Sequence, residues 1–176
     1  MTVTTRASEA LADCEYALTD FEASANTVFQ RPRWVSVMTL LRTVEYVLKD
    51  VDGKNKNATP EVRRYINAAV AKLYASKAKP RKPRIFHEFI RVERNDVVHL
   101  YEVRPRVNVR VRPGVGSLEW QPVVSGAARG GSAEYAPTIY EFVMRDGPFK
   151  GRDPRELCRE AIAFWKKYLD AIDAGT

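Results

Sequence analysis

Arg94, Asn95 and His99 lie within one short stretch, and His99 is one of only two histidines in the chain. A histidine titrates near neutral pH and can take or give a proton. An arginine holds phosphate oxygens in a fork and stabilises the charge that builds up in a pentacoordinate transition state. An asparagine one turn before the histidine can orient it or the substrate. Together these residue types point to metal-free acid–base work on a phosphate. Metal chemistry fits poorly, because His87 and His99 stand about 18 Å apart along one helix and cannot share an ion within one chain. No serine or cysteine falls on the same face, so nothing there suggests a nucleophile.

The three residues belong to a predicted helix, Arg84 to Glu102, the fourth of the chain. At about 100° per residue, Arg84, His87, Glu88, Arg91, Arg94, Asn95, His99 and Glu102 occupy one polar arc of roughly 140°, with Val98 as the apolar intruder. Ile85, Phe86, Phe89, Ile90, Val97, Leu100 and Tyr101 fill the rest. Glu93 falls among those apolar residues, where a carboxylate should find a partner or bear a raised pKa. On the same wheel Arg94 and His99 stand about 140° apart, so Arg94 must curl round or reach across a subunit interface to act with His99. The alternative is the solvated outer face of a bundle helix, where mixed charge is normal.

The setting is basic. The net charge is +7, and between Lys77 and Arg112 eleven Lys or Arg stand against four acids. Concentrated positive charge favours a polyanionic partner, nucleic acid before membrane. Part of it lies on a predicted strand, with Val103, Pro105, Val107, Val109 and Val111 on one side and Arg104, Arg106, Asn108, Arg110 and Arg112 on the other. Alternate strand residues are about 6.6 Å apart, comparable to phosphate spacing. The row Arg104, Arg106, Arg110 and Arg112 thus suits an RNA strand led toward the fourth helix. The competing reading is an edge strand charged to discourage pairing with another chain.

The elements that must position these residues are mostly helical. Leu11, Cys14, Leu18, Phe21, Ala25 and Val28 recur at spacings of three and four, as do Trp34, Val37, Leu41, Val44, Leu48 and Val51. With Pro32 breaking between them, the two stripes predict a helical hairpin. Thr59, Pro60 and Glu61 open a third helix that turns Val62, Ile66, Ala69 and Leu73 inward. Asp153, Pro154 and Glu156 open the last, with Leu157, Ala161, Phe164, Tyr168 and Ile172 on one face and Trp165 and Leu169 beside them. Leu118 to Val124 and Thr138 to Arg145 read as two further strands. The fold class is mainly α: a bundle of about five helices (6–101 and 153–173) with a three-stranded antiparallel β insertion (102–146), in one domain spanning residues 1–176.

At 176 residues, 45% hydrophobic and 29% charged, the chain is sized and composed to bury a core. It has no apolar run of the roughly 18 residues a membrane span needs. Met1 to Glu15 has no apolar signal core, which predicts a cytoplasmic protein without a membrane partner. The only cysteines, Cys14 and Cys158, fall on apolar stripes and are predicted to be buried thiols. No cofactor is called for.

The stretch from Glu93 to His99 resembles the Arg-polar-x-x-x-His motif of the HEPN superfamily of helical-bundle proteins. Arg94 matches the motif arginine, Asn95 the polar residue after it and His99 the histidine. The resemblance covers this helix and, loosely, the bundle from Ser8 to Tyr101 with the last helix; the β insertion departs from it. It implies a metal-independent endoribonuclease, of a kind often found as a toxin or antiviral effector, acting as a homodimer and sometimes held by an antitoxin or other regulatory protein. In that reading His99 is acid or base, Arg94 holds the scissile phosphate, Asn95 and Arg91 assist, and Arg104 to Arg112 bind the strand. The dimer has a physical reason too, since transesterification is best served by one base and one acid, and a single chain carries one motif histidine. Some members keep the fold without cleaving RNA. The alternative is therefore a non-catalytic helical module that binds nucleic acid or assembles with protein.

Overall fold

The apolar stripes of the first two helices meet along their length in the computed structural model, which describes residues 2–23, 27–79, 83–100, 102–111 and 138–176, the side chains of 27–29, 107–111 and 138–141 excepted. Helix α1 (Thr5–Ala23) buries Leu11, Cys14, Leu18 and Phe21, and α2 (Thr27–Asp50) buries Trp34, Val37, Leu41, Val44 and Leu48. Ala25 and the side chain of Val28 lie outside the described residues. Pro32 sits inside α2, not between the helices, near enough to its start that only one early backbone bond is lost. Val51, which the spacing predicts inward, is past the last helical turn and 44% exposed.

The start of α1 is capped from a distance. Asp52, in the turn after α2, accepts the amides of Ala7 at 2.9 Å and Arg6 at 3.3 Å. Asp173 likewise accepts the amides of Val3 and Thr4, tying the two ends of the chain together. A carboxylate on unpaired amides at a helix N-terminus satisfies donors that the helix cannot.

Helix α3 (Pro60–Ala75) has Thr59 as its cap, its hydroxyl accepting the Val62 amide at 3.4 Å. Helix α5 (Pro154–Ala174) is capped by Asp153, which accepts the Arg155 amide at 2.8 Å. Its Trp165 is fully buried, contacts Phe86, Phe164 and Tyr168, and donates its indole N–H to the Leu41 carbonyl at 3.0 Å. Trp165→Ala removes a large side chain from the point where α2, α5 and Phe86 meet. We expect it to cost about 3–5 kcal/mol of stability. Urea unfolding checks this, and a loss under about 1 kcal/mol would show that the bundle does not close on this ring.

Strands β1 (Pro105–Val111) and β2 (Thr138–Met144) form a two-stranded antiparallel ladder, Pro105 opposite Met144 and Val111 opposite Thr138. Pro105 is the first residue of β1, where its missing amide costs no ladder bond. The sheet is pinned to the helices through Phe142, whose ring meets Phe21 at 5.6 Å. The second of the three predicted strands, Leu118 to Val124, lies outside the described residues. Among the described residues no helix is long and apolar enough to cross a membrane. Both cysteines are buried free thiols, and burial pushes Cys14 up to about 12 and Cys158 well above its ordinary value.

Candidate active site on the fourth helix

The fourth helix, α4, is not a uniform α-helix. It runs as π-turns over Ile85–Ile90, α-turns over Arg91–Asn95 and π-turns again over Asp96–Leu100. The Arg91 amide reaches back five residues to the Phe86 carbonyl, and the Glu102 amide reaches the Asp96 carbonyl at 3.1 Å. Phe86, Phe89, Ile90 and Val97 anchor α4 in the core. The wider turns revise the simple wheel at both ends. His87, predicted on the polar arc, is 5% exposed and meets the Ser76 hydroxyl through Nε2 at 2.9 Å. Leu100, predicted inward, is 63% exposed, beside Val98 at 47%. Tyr101 lies outside the described residues.

The same winding brings the motif together. Arg94 Nη1 lies 3.3 Å from Asn95 Oδ1 and 3.4 Å from His99 Nε2. Regular α-turns would set residues five apart on different sides. A stretch bonded from i to i+5 has more residues per turn, which narrows the angle between Arg94 and His99. Arg94 therefore meets His99 within one chain, so that contact does not call for a second subunit. A guanidinium only donates, so in this contact His99 Nε2 stands on the accepting side. Asn95 and His99 are exposed and Arg94 half-buried, so a large substrate can reach all three.

Beneath the motif the charges take an arrangement that alternation along the strand does not reveal. Arg104 precedes β1, and its guanidinium turns inward to Glu93 at 2.7 Å, to Asp96 and to Asp146 at 3.0 Å. Glu93 and Asp96 flank Arg94 and Asn95 on α4, so Arg104 clamps the motif segment to the end of the hairpin. Gly147 makes the turn that delivers Asp146; its φ is 76°, and a Cβ there would stand 3.3 Å from the Arg104 guanidinium. Arg106 is exposed at the start of β1. Arg110 is in β1, its side chain outside the described set, and Arg112 lies outside the described residues altogether. The structure thus groups Arg94, Asn95 and His99, with Arg91 one turn earlier, and sets Arg104 apart from them in an ion-pair cluster.

Glu93 has both the partner and the shift that its apolar setting predicts. Burial raises its carboxyl, Arg104 pulls it back, and Asp96 and Asp146 push it up again, leaving it at about 7 against an ordinary 4.5. Burial alone would lower the Arg104 guanidinium, but the three carboxylates outweigh it and hold it above its usual value. The folded protein keeps a proton on Glu93 that the unfolded chain has lost. The resulting stability is complete below pH 4.5 and disappears as the pH rises through about 7. From pH 5 to pH 8 it should fall by on the order of 3 kcal/mol. Glu93→Gln, neutral at every pH, should flatten that slope in urea unfolding. An equal slope in both proteins would rule out Glu93 as its source.

Arg42 on α2 belongs to the same surface, and neither its spacing nor its charge distinguished it beforehand. It pairs with the buried Glu45 and lines a cleft with Arg94. Burial, then the positive charges of Arg91 and Arg94, lower its guanidinium to about 10. Arg91 lies over the Tyr74 ring at 5.0 Å. One available signal was the polar stripe Thr39, Arg42, Thr43, Tyr46 and Lys49, spaced by three and four residues on the side of α2 opposite its apolar stripe.

Comparison of the chain with family models, with curated proteins and with solved structures finds no match. The functional reading therefore rests on the site's own chemistry. An exposed imidazole, a guanidinium in contact with it and an amide beside both are groups of the kind that proton transfer at a phosphodiester uses.

Proposed function

We propose that the protein is a HEPN-like, metal-independent endoribonuclease that cleaves RNA by transesterification. The observation that carries this reading is the Arg94 guanidinium held between Asn95 Oδ1 and His99 Nε2 on an accessible surface. In the reaction His99 Nε2 takes the proton of a 2′-hydroxyl as that oxygen attacks the adjacent phosphorus. The bond from phosphorus to the 5′-oxygen breaks, and an acid returns a proton to the leaving oxygen. The products are a 2′,3′-cyclic phosphate and a 5′-hydroxyl. Arg94 turns from His99 to the phosphate and neutralises the charge that develops there.

The acid is assigned to His99 of a second copy, which makes the working form a homodimer. Val98 and Leu100, large apolar residues left exposed beside His99, suit such an interface. A toxin or antiviral role, with a regulatory protein covering the site, is what the same resemblance implies. The test is RNA cleavage with a chelator present, comparing wild type with His99→Ala and Arg94→Ala, and light scattering for the dimer. Equal activity in all three, or none in any across varied RNAs, would defeat the enzyme reading. A strict monomer that still cleaves would defeat the composite site.

A further inference from the structure

Beside the motif, between α2, α3 and α4, is a cleft of about 340 Å³ lined by residues that include Arg42, Thr43, Tyr46, Lys49, Tyr74 and Arg94. Its size falls within the range of small-ligand sites. Its charge is unbalanced in a particular way. The two acids on the α2 side have partners: Glu45 pairs with Arg42, and Asp50 with Lys54 at 2.5 Å. Among the described residues Arg91 and Arg94 meet a tyrosine ring, an amide and an imidazole, but no carboxylate. Arg42 and Arg94 line the cleft, with Arg91 behind them on the Tyr74 ring; burial first, then the charges of Arg91 and Arg94, lowers the Arg42 guanidinium. Crowding of like charges costs stability unless an anion offsets it. At the rim, Tyr46 exposes 65% of its surface. Arginines that bind phosphate beside an exposed aromatic ring are the means by which single-stranded nucleic acid is held.

We propose that this cleft is a nucleotide subsite for single-stranded RNA, with Arg42 holding the phosphate next to the scissile one and the Tyr46 ring stacking on its base. The subsite rests on the ribonuclease reading for its place along the strand, while its binding can be measured without cleavage. Arg42 has donors beyond the one given to Glu45, and they are available to a phosphate oxygen. Arg94 lines both the cleft and the motif, so a strand held here passes directly to His99.

The experiment measures fluorescence anisotropy with a labelled 2′-O-methyl oligoribonucleotide, which lacks the attacking hydroxyl and cannot be cut. Wild type is compared with Tyr46→Ala, with Arg42→Gln combined with Glu45→Gln, and with Lys166→Gln as a charge control on exposed α5 surface, over a range of salt. The paired substitution leaves no lone charge buried, and Tyr46→Ala changes only an exposed ring, so a folding failure in one leaves the other decisive. Tyr46→Ala should weaken binding by roughly fivefold or more with the salt slope unchanged. The double variant should weaken binding and lower the slope of log affinity against log salt by about 0.7, the value for one single-strand phosphate contact. Lys166→Gln should do neither. Affinities within about twofold of wild type, with unchanged slopes, in both cleft variants would overturn the subsite, as would wild type that binds no RNA. A wild type that binds as described but never cleaves RNA would overturn the ribonuclease and leave the subsite standing. One that cleaves RNA while both cleft variants bind normally would do the reverse.

Discussion

His99→Ala should lower RNA cleavage by about 10²–10⁴-fold, the usual contribution of one positioned acid or base. Arg94→Ala should cost about 10²–10³-fold, as loss of a charge-stabilising donor does in other acyl and phosphoryl transfers. Because Arg94 Nη1 stands 3.4 Å from His99 Nε2, the two act as one unit. The double variant should therefore be scarcely worse than the poorer single one. Both side chains are at least partly solvent-accessible, so neither substitution should move the unfolding midpoint much. Single-turnover cleavage beside thermal melts separates the two effects. A cleavage loss that tracks a fall in stability would mean that the residues are structural.

Arg104→Ala should produce a large, pH-dependent loss of stability. It strips the shared counterion from Glu93, Asp96 and Asp146 and leaves Glu93, 2% exposed, as a carboxylate in the core. Removing one partner of a buried pair typically costs about 3–5 kcal/mol. For a chain of this size that lowers the melting temperature by roughly 10 °C. The sign of the pH effect follows from Glu93. Without Arg104 its carboxyl is pushed further up, so near pH 5 it is neutral and the penalty shrinks. Near pH 8 the full cost applies. Arg104→Lys should fall between, because one ammonium cannot span three carboxylates. Melts at the two pH values decide the matter, and an identical loss at both would disconnect Arg104 from Glu93.

The clamp also shows why strand periodicity misjudged Arg104. Alternation makes it the first outward arginine of a strand, but the ladder begins at Pro105. The residue before the ladder is free to turn, and three acids supply the reason. Glu93 and Asp96 precede it by eleven and eight residues on α4, and Asp146 lies across the hairpin. No local pattern reports that these meet. Arg106, inside the ladder, keeps the exposure that alternation predicts.

The helices were legible because burial repeats with the helical period. Trp34, Val37, Leu41, Val44 and Leu48 are all fully buried, and Thr59 and Asp153 cap the helices they were expected to open. The α4 wheel was legible only in part. Its apolar anchors hold, since Phe86, Phe89, Ile90 and Val97 are buried, but π-turns at both ends rotate His87 inward and Leu100 outward. Backbone winding is a response to packing on both sides of a helix, and no single side chain announces it.

For the candidate site, the choice of residues was therefore a sequence property and their meeting was not. Side-chain chemistry singles out Arg94, Asn95 and His99 wherever they stand, because proton transfer and phosphate binding depend on functional groups. Their contact required the π-wound end of α4, and their rim required Arg42 and Tyr46 from a separate helix. Local periodicity carries what a residue is and which way a regular helix would turn it. Distances between segments, and the burial that raises Glu93, arise only when the chain closes on itself and water leaves the space between.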